Sequence, residues 1–205
     1  MLKAIAQTSR VSTKDRIVTA ALETLKTEGF AGTSARAIAS RGGFNQALIF
    51  YHFGSLTDLL LAALERTSRD RMESYRSAVD AAGSLQDLVQ VAARLHGEDL
   101  RSGHITVVSE MIAGSLTHPE LGPEIVRQMQ PWLDFTTATI EKVLAGSPFE
   151  DMFPARDVAF AVVAFYLGAD LLAQLDSDHE RVERVLSMGT SFLPLVAPML
   201  SWGSR

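Results

Sequence analysis

The chain has 205 residues, 47% of them hydrophobic and 21% charged, which is enough apolar material to bury one sizeable core or a small domain beside a larger one, and too much for a disordered chain. It contains no cysteine, so a disulfide framework and thiolate metal sites are excluded. Its net charge of −5 conceals an asymmetry: residues 1–57 hold seven Lys/Arg against three Asp/Glu, a net of +4, while residues 58–205 hold twelve against twenty-one, a net of −9. A basic head on a larger acidic body fits a nucleic-acid reader joined to a sensing or assembly module.

The opening stretch "MLKAIAQTSRVSTKD" has no apolar core of signal-peptide length, and the richest apolar run, "VAFAVVAFYLGADLLAQL", is interrupted before it reaches the roughly 18 residues of a membrane span. A cytoplasmic protein without a membrane segment is expected. In "STKDRIVTAALETLKTEGF", Ser12 and Thr13 are N-cap candidates, Ile17, Val18, Ala21, Leu22 and Leu25 recur at helical steps, and Gly29 supplies the C-cap. A second, short helix in "TSARAIASRGG" has Thr33 or Ser34 as its cap and Ala35, Ile38 and Ala39 turned inward. The pair Gly42-Gly43 makes a turn, Asn45 caps a third helix "QALIFYH", and Ser55 caps a fourth that runs toward Gly83. No β-hairpin signal interrupts the series.

Two short helices joined by a glycine-containing turn, with a longer helix behind them, form a helix-turn-helix pattern. Phe44, Ile49 and Phe53 are expected in its core, over a floor of Ile38 and Leu22. On a helical wheel Gln46, Ala47 and Phe50 fall on one arc away from Ile49. A side-chain amide, a small residue and an aromatic suit the major groove, where glutamine pairs with adenine and apolar groups meet the thymine methyl.

From Thr13 to Leu64 the sequence resembles the DNA-binding domain of TetR-type transcriptional regulators. The resemblance lies in a helix ending in "EGF", the spacer before "TSARAIA", the glycine before the third helix, and an aromatic-aromatic-His-Phe element followed by Gly-Ser and an apolar helix. It implies base or groove contact for Arg36, Gln46, Ala47 and Leu48, with Thr33, Ser34, Phe50, Tyr51 and His52 near the phosphate backbone, and Asn45 joins this set as the capping residue. Two departures stand out. The family commonly has tyrosine where this chain has Phe50, and lysine where it has Leu56. Both remove a phosphate partner, for which Tyr51, Lys3, Arg10, Lys14 and Arg16 are the candidate replacements.

Beyond residue 57 five further helices are predicted, at about 84–101, 104–115, 119–145, 154–175 and 179–200, bounded by Gly83, Gly103, "THPELGP", "AGSPFEDMFP" and "DSDHE". The expected architecture is all-α: an N-terminal three-helix helix-turn-helix domain over 1–57, joined by a long helix to a helical domain over 58–205. The resemblance implies that this second domain binds a small-molecule effector and forms a homodimer through its last two long helices, placing two recognition helices on double-stranded DNA with a palindromic operator.

Candidate dimer residues are Ala161, Ala164, Gly168 and Leu172, on a helix apolar almost all round and so buried on more than one side, with Val185, Phe192 and Val196 of the last helix. Candidate effector-lining residues are His104, Met111, Gln128, Trp132, Phe135, Phe165 and Tyr166, which suggest a largely apolar ligand. No cofactor motif is present: there is no HExxH, P-loop or GxSxG, and "HGEDLRSGH", with His96 and His104, reads as solvated surface rather than a metal pair. The alternative to a regulator is a helical protein-binding adaptor.

Overall fold

The starts of the N-terminal helices are set by short oxygen-bearing side chains that satisfy the first orphan N–H groups. In the computed structural model, which describes residues 12–175 and 181–200, Ser12 accepts from Asp15 N at 3.1 Å and opens α1 (Thr13–Gly32), while Ser34 accepts from Ala37 N at 3.1 Å and opens α2 (Ala35–Gly42). Asn45 Oδ1 accepts from Ala47 N at 2.9 Å ahead of α3 (Ala47–Phe53), and Ser55 accepts from Asp58 N at 3.0 Å ahead of α4 (Leu56–Asp80). Of the two caps the sequence allowed for α2, Ser34 takes the role, because Thr33 is buried and donates its hydroxyl to Gly29 O at 2.6 Å. Gly29 has φ 68° and ψ 178°, so α1 breaks there and its last residues form a separate turn.

The remaining helices are α5 (Leu85–Ser102), α6 (His104–Ser115), α7 (Leu121–Leu144), α8 (Ala155–Leu175) and α9 (Arg181–Val196), with a 3₁₀ turn over Ala197–Met199. No strand occurs among the described residues, and no single helix among them is long and apolar enough to cross a membrane.

The chain divides into two compact units, 1–64 and 65–205. The division falls inside α4. The N-terminal unit buries Ile17, Val18, Ala21, Leu22 and Leu25 of α1, Ile38 and Ala39 of α2, Ile49 of α3, and Leu59, Leu60, Ala63 and Leu64 of α4. Phe44 and Phe53, expected in this core, are only part-buried. Phe44 lies in the turn and sits against Gly42, where an added Cβ would come within 2.1 Å of its ring, and Phe53 at the end of α3 carries the Lys14 ammonium over its ring at 5.3 Å.

In the C-terminal unit α7 packs along α8, α6 touches α5, α7 and α8, and α9 touches α5 and α8. Leu95, Ile105, Val107, Met111, Leu121 and Ile125 form its core.

Candidate functional site

The turn between α2 and α3 depends on Gly43, which holds φ 65° and caps α2 in the left-handed region that side chains disfavour. That reversal brings Arg36 of α2 beside Asn45 and Gln46 at the start of α3. The three line one open surface hollow of about 530 Å³ with Ala39, Ser40, Gly43 and Phe44. Ser40, exposed in this hollow, had no signal in the sequence beyond its position on α2.

α3 then presents Ala47 and Phe50 to solvent, with Leu48 part-buried. Tyr51 is 82% exposed, with the His52 ring edge-on to it at 5.0 Å. α2 is locked to α1 by Arg41, whose guanidinium donates to Thr24 at 3.1 Å, Thr27 at 2.7 Å and Glu28 at 2.8 Å. Arg16 donates to Gly42 O at 3.4 Å. Lys14, through its contact with Phe53, stands at the end of α3, close in sequence to Leu56. Lys3 and Arg10 lie outside the described residues.

The C-terminal unit contains a buried polar cluster that the sequence reading missed. Asp99 of α5, 1% exposed, accepts from Arg71 Nε of α4, from Tyr75 OH of α4 at 2.8 Å, and from Tyr166 OH of α8. Burial, followed by the Asp99 charge, raises the Tyr75 phenol above its usual range. Burial, with Tyr75 and Asp99 beside it, does the same to Tyr166, so both remain protonated donors. His96 and His104, expected on a solvated surface, are both buried. Glycines 97 and 103 do not keep them at the surface: Gly97 lies within α5, and Gly103 closes α5 at φ 71° and leads directly into α6.

His96 Nδ1 lies 3.3 Å from Asp170 of α8, and its ring is edge-on to Tyr166 at 5.5 Å. His104 Nδ1 lies 3.2 Å from Thr67 Oγ1, and its ring meets Trp132 at 5.7 Å. Tyr75 is edge-on to Trp132 at 5.1 Å and to Phe135 at 6.4 Å. Of the seven effector-lining candidates, His104, Trp132, Phe135 and Tyr166 join one cluster through Trp132 and Tyr75, and Met111 is core. Gln128 is part-buried on α7, and Phe165 is exposed on α8.

Asp170 is fully buried, and neither of its oxygens accepts a hydrogen bond from the described residues. Desolvation, with the nearby Asp99 charge, raises its carboxyl from 3.8 to about 7. The folded chain therefore keeps this proton where the unfolded chain has lost it. The stability so gained is complete below about pH 4 and is lost as the pH rises through about 7. Asp170→Asn keeps the shape without ionising, so its stability relative to the parent is expected to grow by a few kcal/mol between pH 4 and 8. Urea unfolding at a series of pH values measures this, and a difference flat in pH would contradict it.

The last two long helices carry an apolar face that is exposed among the described residues. On α8, Phe160, Val162, Phe165, Leu171, Leu172 and Leu175 are exposed, and on α9 so are Val185, Met188, Phe192 and Leu195. Ala161 and Ala164 are exposed among them, and Gly168 has open space where a side chain would stand. The side chain of Val196 lies outside those described.

Comparison with known proteins adds four findings. Residues 17–63 match the family model of bacterial regulatory proteins, tetR family. Over 85 residues the chain is 32% identical to "Probable HTH-type transcriptional regulator YttP" of Bacillus subtilis (strain 168), a match that spans 40% of this chain and 41% of that protein. Among solved structures, the TetR transcriptional regulator from Legionella pneumophila superposes with TM-score 0.71 at 18% identity, over 86% of this chain and 95% of that one. The multidrug binding protein EbrR, complexed with imidazole, gives TM-score 0.56 at 26% identity over 86% and 94%.

Proposed function

We propose that the chain is a sequence-specific, DNA-binding transcriptional regulator of the tetR family, on the match of residues 17–63 to that family's model and of 85 residues to an HTH-type regulator. In this proposal it acts in the cytoplasm as a homodimer, represses from a palindromic operator, and is released by a small-molecule effector. Arg36, Asn45 and Gln46 carry the proposal: two helices converge on one solvent-facing hollow with a guanidinium and two amides at its rim. Arginine pairs with guanine and side-chain amides with adenine in the major groove. Phe50, Tyr51 and His52, with Thr33 and Ser34 on the neighbouring turn, flank that surface, where the phosphate backbone would run.

The exposed apolar face of α8 and α9 supports dimerisation, since monomeric proteins rarely leave so many large apolar side chains in water. A two-fold dimer would space its recognition helices by about 34–36 Å or a multiple, which calls for a palindromic site. The aromatic cluster around Trp132 and the imidazole complex of EbrR support effector binding in the C-terminal unit. An effector that favours one spacing of the two heads over the other would couple to operator affinity by about 1–3 kcal/mol, roughly 5- to 150-fold.

Selection of the protein against a randomised duplex library at physiological salt tests this reading. An enriched palindrome is expected. Binding without enrichment, or none at all, would favour the adaptor reading instead.

Lys14 provides a narrower test. If its ammonium stands in for the lysine that Leu56 replaces, Lys14→Ala weakens binding to all sequences alike and lowers the salt slope of log K by about one. An unchanged slope would remove Lys14 from the phosphate contacts.

A further inference from the structure

Two side-chain amides stand at the rim of the hollow between α2 and α3, and they differ in what each has left to offer. Asn45 Oδ1 accepts from Ala47 N at 2.9 Å, so its carbonyl oxygen is held against the start of α3. Turning that amide to face a base edge would break the cap. Gln46 forms no cap bond, and its exposed side chain keeps both the oxygen and the NH2 off the helix terminus. In the major groove adenine shows an acceptor at N7 beside a donor at N6, which an amide matches only when both of its groups face the base. Of the two amides, Gln46 meets that condition.

Phe50 is the second feature. The backbone of Gln46 is already helical, at φ −55° and ψ −26°, so Phe50, four residues on, stands on the same side of the helix about one turn away. Its ring is 50% exposed, whereas neighbouring Ile49 is fully buried. A phenyl ring has no hydrogen to donate to a phosphate, and the apolar group that a base-pair edge offers in the major groove is the thymine methyl. Four residues of helix rise about 6 Å and two base-pair steps about 7 Å. A helix lying along the groove therefore sets the two contacts within two base pairs of each other.

We propose that Gln46 and Phe50 set the base preference of α3: Gln46 reads an adenine, Phe50 packs on a thymine methyl within two base pairs of it, and Asn45 holds the helix start without reading adenine. This rests on the regulator reading above and names the part of the operator that the helix recognises.

The test is selection of the full-length parent, Gln46→Ala, Phe50→Ala and Asn45→Ser against one randomised duplex library. Anisotropy titrations of the enriched duplex then follow, with single thymines replaced by deoxyuridine. Gln46→Ala is expected to lose the preference for adenine at one position of each half-site and to bind the parent's duplex about 5- to 150-fold more weakly. Deoxyuridine lacks only the methyl, and at one thymine of the half-site it should weaken the parent about fourfold. Phe50→Ala should bind the two duplexes alike. Asn45→Ser keeps a capping oxygen and should enrich the parent's half-site. Both truncated side chains are exposed, so neither change opens the core. Should a variant still not fold, 7-deazaadenine and deoxyuridine substitutions read the same two contacts on the parent.

An enriched half-site without adenine, an adenine preference that survives Gln46→Ala or is lost in Asn45→Ser, or a methyl effect that is absent or persists in Phe50→Ala would overturn the proposal and leave the regulator reading intact. No enriched site for the parent would overturn that reading and this proposal with it.

Discussion

Asp99→Ala is expected to destabilise the C-terminal unit by about 3–5 kcal/mol, the range seen when one partner of a buried ion pair is removed. Three donors converge on this carboxylate from two helices: the Arg71 guanidinium, the Tyr75 hydroxyl and the Tyr166 hydroxyl. Removing it leaves a largely buried guanidinium whose remaining contacts, at 3.5 Å to Glu98 and to Leu95 O, are long. With native stabilities of about 5–15 kcal/mol, such a loss takes a large share of the total. Urea unfolding followed by far-UV circular dichroism reads it directly. The informative comparison is Asp170→Asn, an equally buried aspartate one helix away, for which the expected sign at neutral pH is the opposite. Two carboxylates of equal burial part company because one meets a cation and two hydroxyls while the other receives no hydrogen bond from the described residues. Similar costs for the two variants would show that burial alone governs this cluster.

If the proposed homodimer forms through α8 and α9, Phe192→Glu combined with Leu172→Glu is expected to leave a folded monomer and to lower affinity for the proposed operator by about 10²-fold or more. Both side chains are more than half exposed, on α9 and α8, so charge there costs the isolated chain little. In an interface the same charges would be buried without partners. A dimer holds its second head near the second half-site at a high effective concentration, and bivalent attachment of this kind gains 10²–10⁴ over one site. Analytical ultracentrifugation gives the mass and anisotropy titration gives the affinity. A variant that stays dimeric would move the interface off this face, and one that becomes monomeric with undiminished affinity would remove dimerisation from the DNA-binding mechanism.

Helix boundaries were legible residue by residue. Ser12, Ser34, Asn45 and Ser55 act as caps from the positions their side chains suggest, and Gly29 and Gly43 take positive φ where the chain has to turn. The candidate DNA-facing surface was partly legible: the wheel set Gln46, Ala47 and Phe50 on one arc and the resemblance added Arg36, whereas Ser40, which lines the hollow with Arg36 and Gln46, carried no signal. Of the C-terminal cluster the aromatic members Trp132, Phe135 and Tyr166 were legible, and the buried acids Asp99 and Asp170 were not. The segment "VAFAVVAFYLGADLLAQL" read as apolar on almost every side, and Asp170, its one charge, passed as an interruption.

Thus the sequence by itself determined the all-helical chain, its caps, the helix-turn-helix and the apolar character of the last helices. These depend on a residue and its neighbours within about one turn, where side-chain oxygens meet backbone N–H groups and apolar positions recur. Only the tertiary structure decided that His96, Asp99 and Asp170 are buried together, that Arg71 serves Asp99 rather than solvent, and that the described α8 and α9 side chains leave an apolar face exposed. The fate of a charged group depends on what other helices place against it, and that partner lies 28 residues away for Asp99 and Arg71. For Tyr166 and Asp99 the separation is 67. No local pattern encodes such distances.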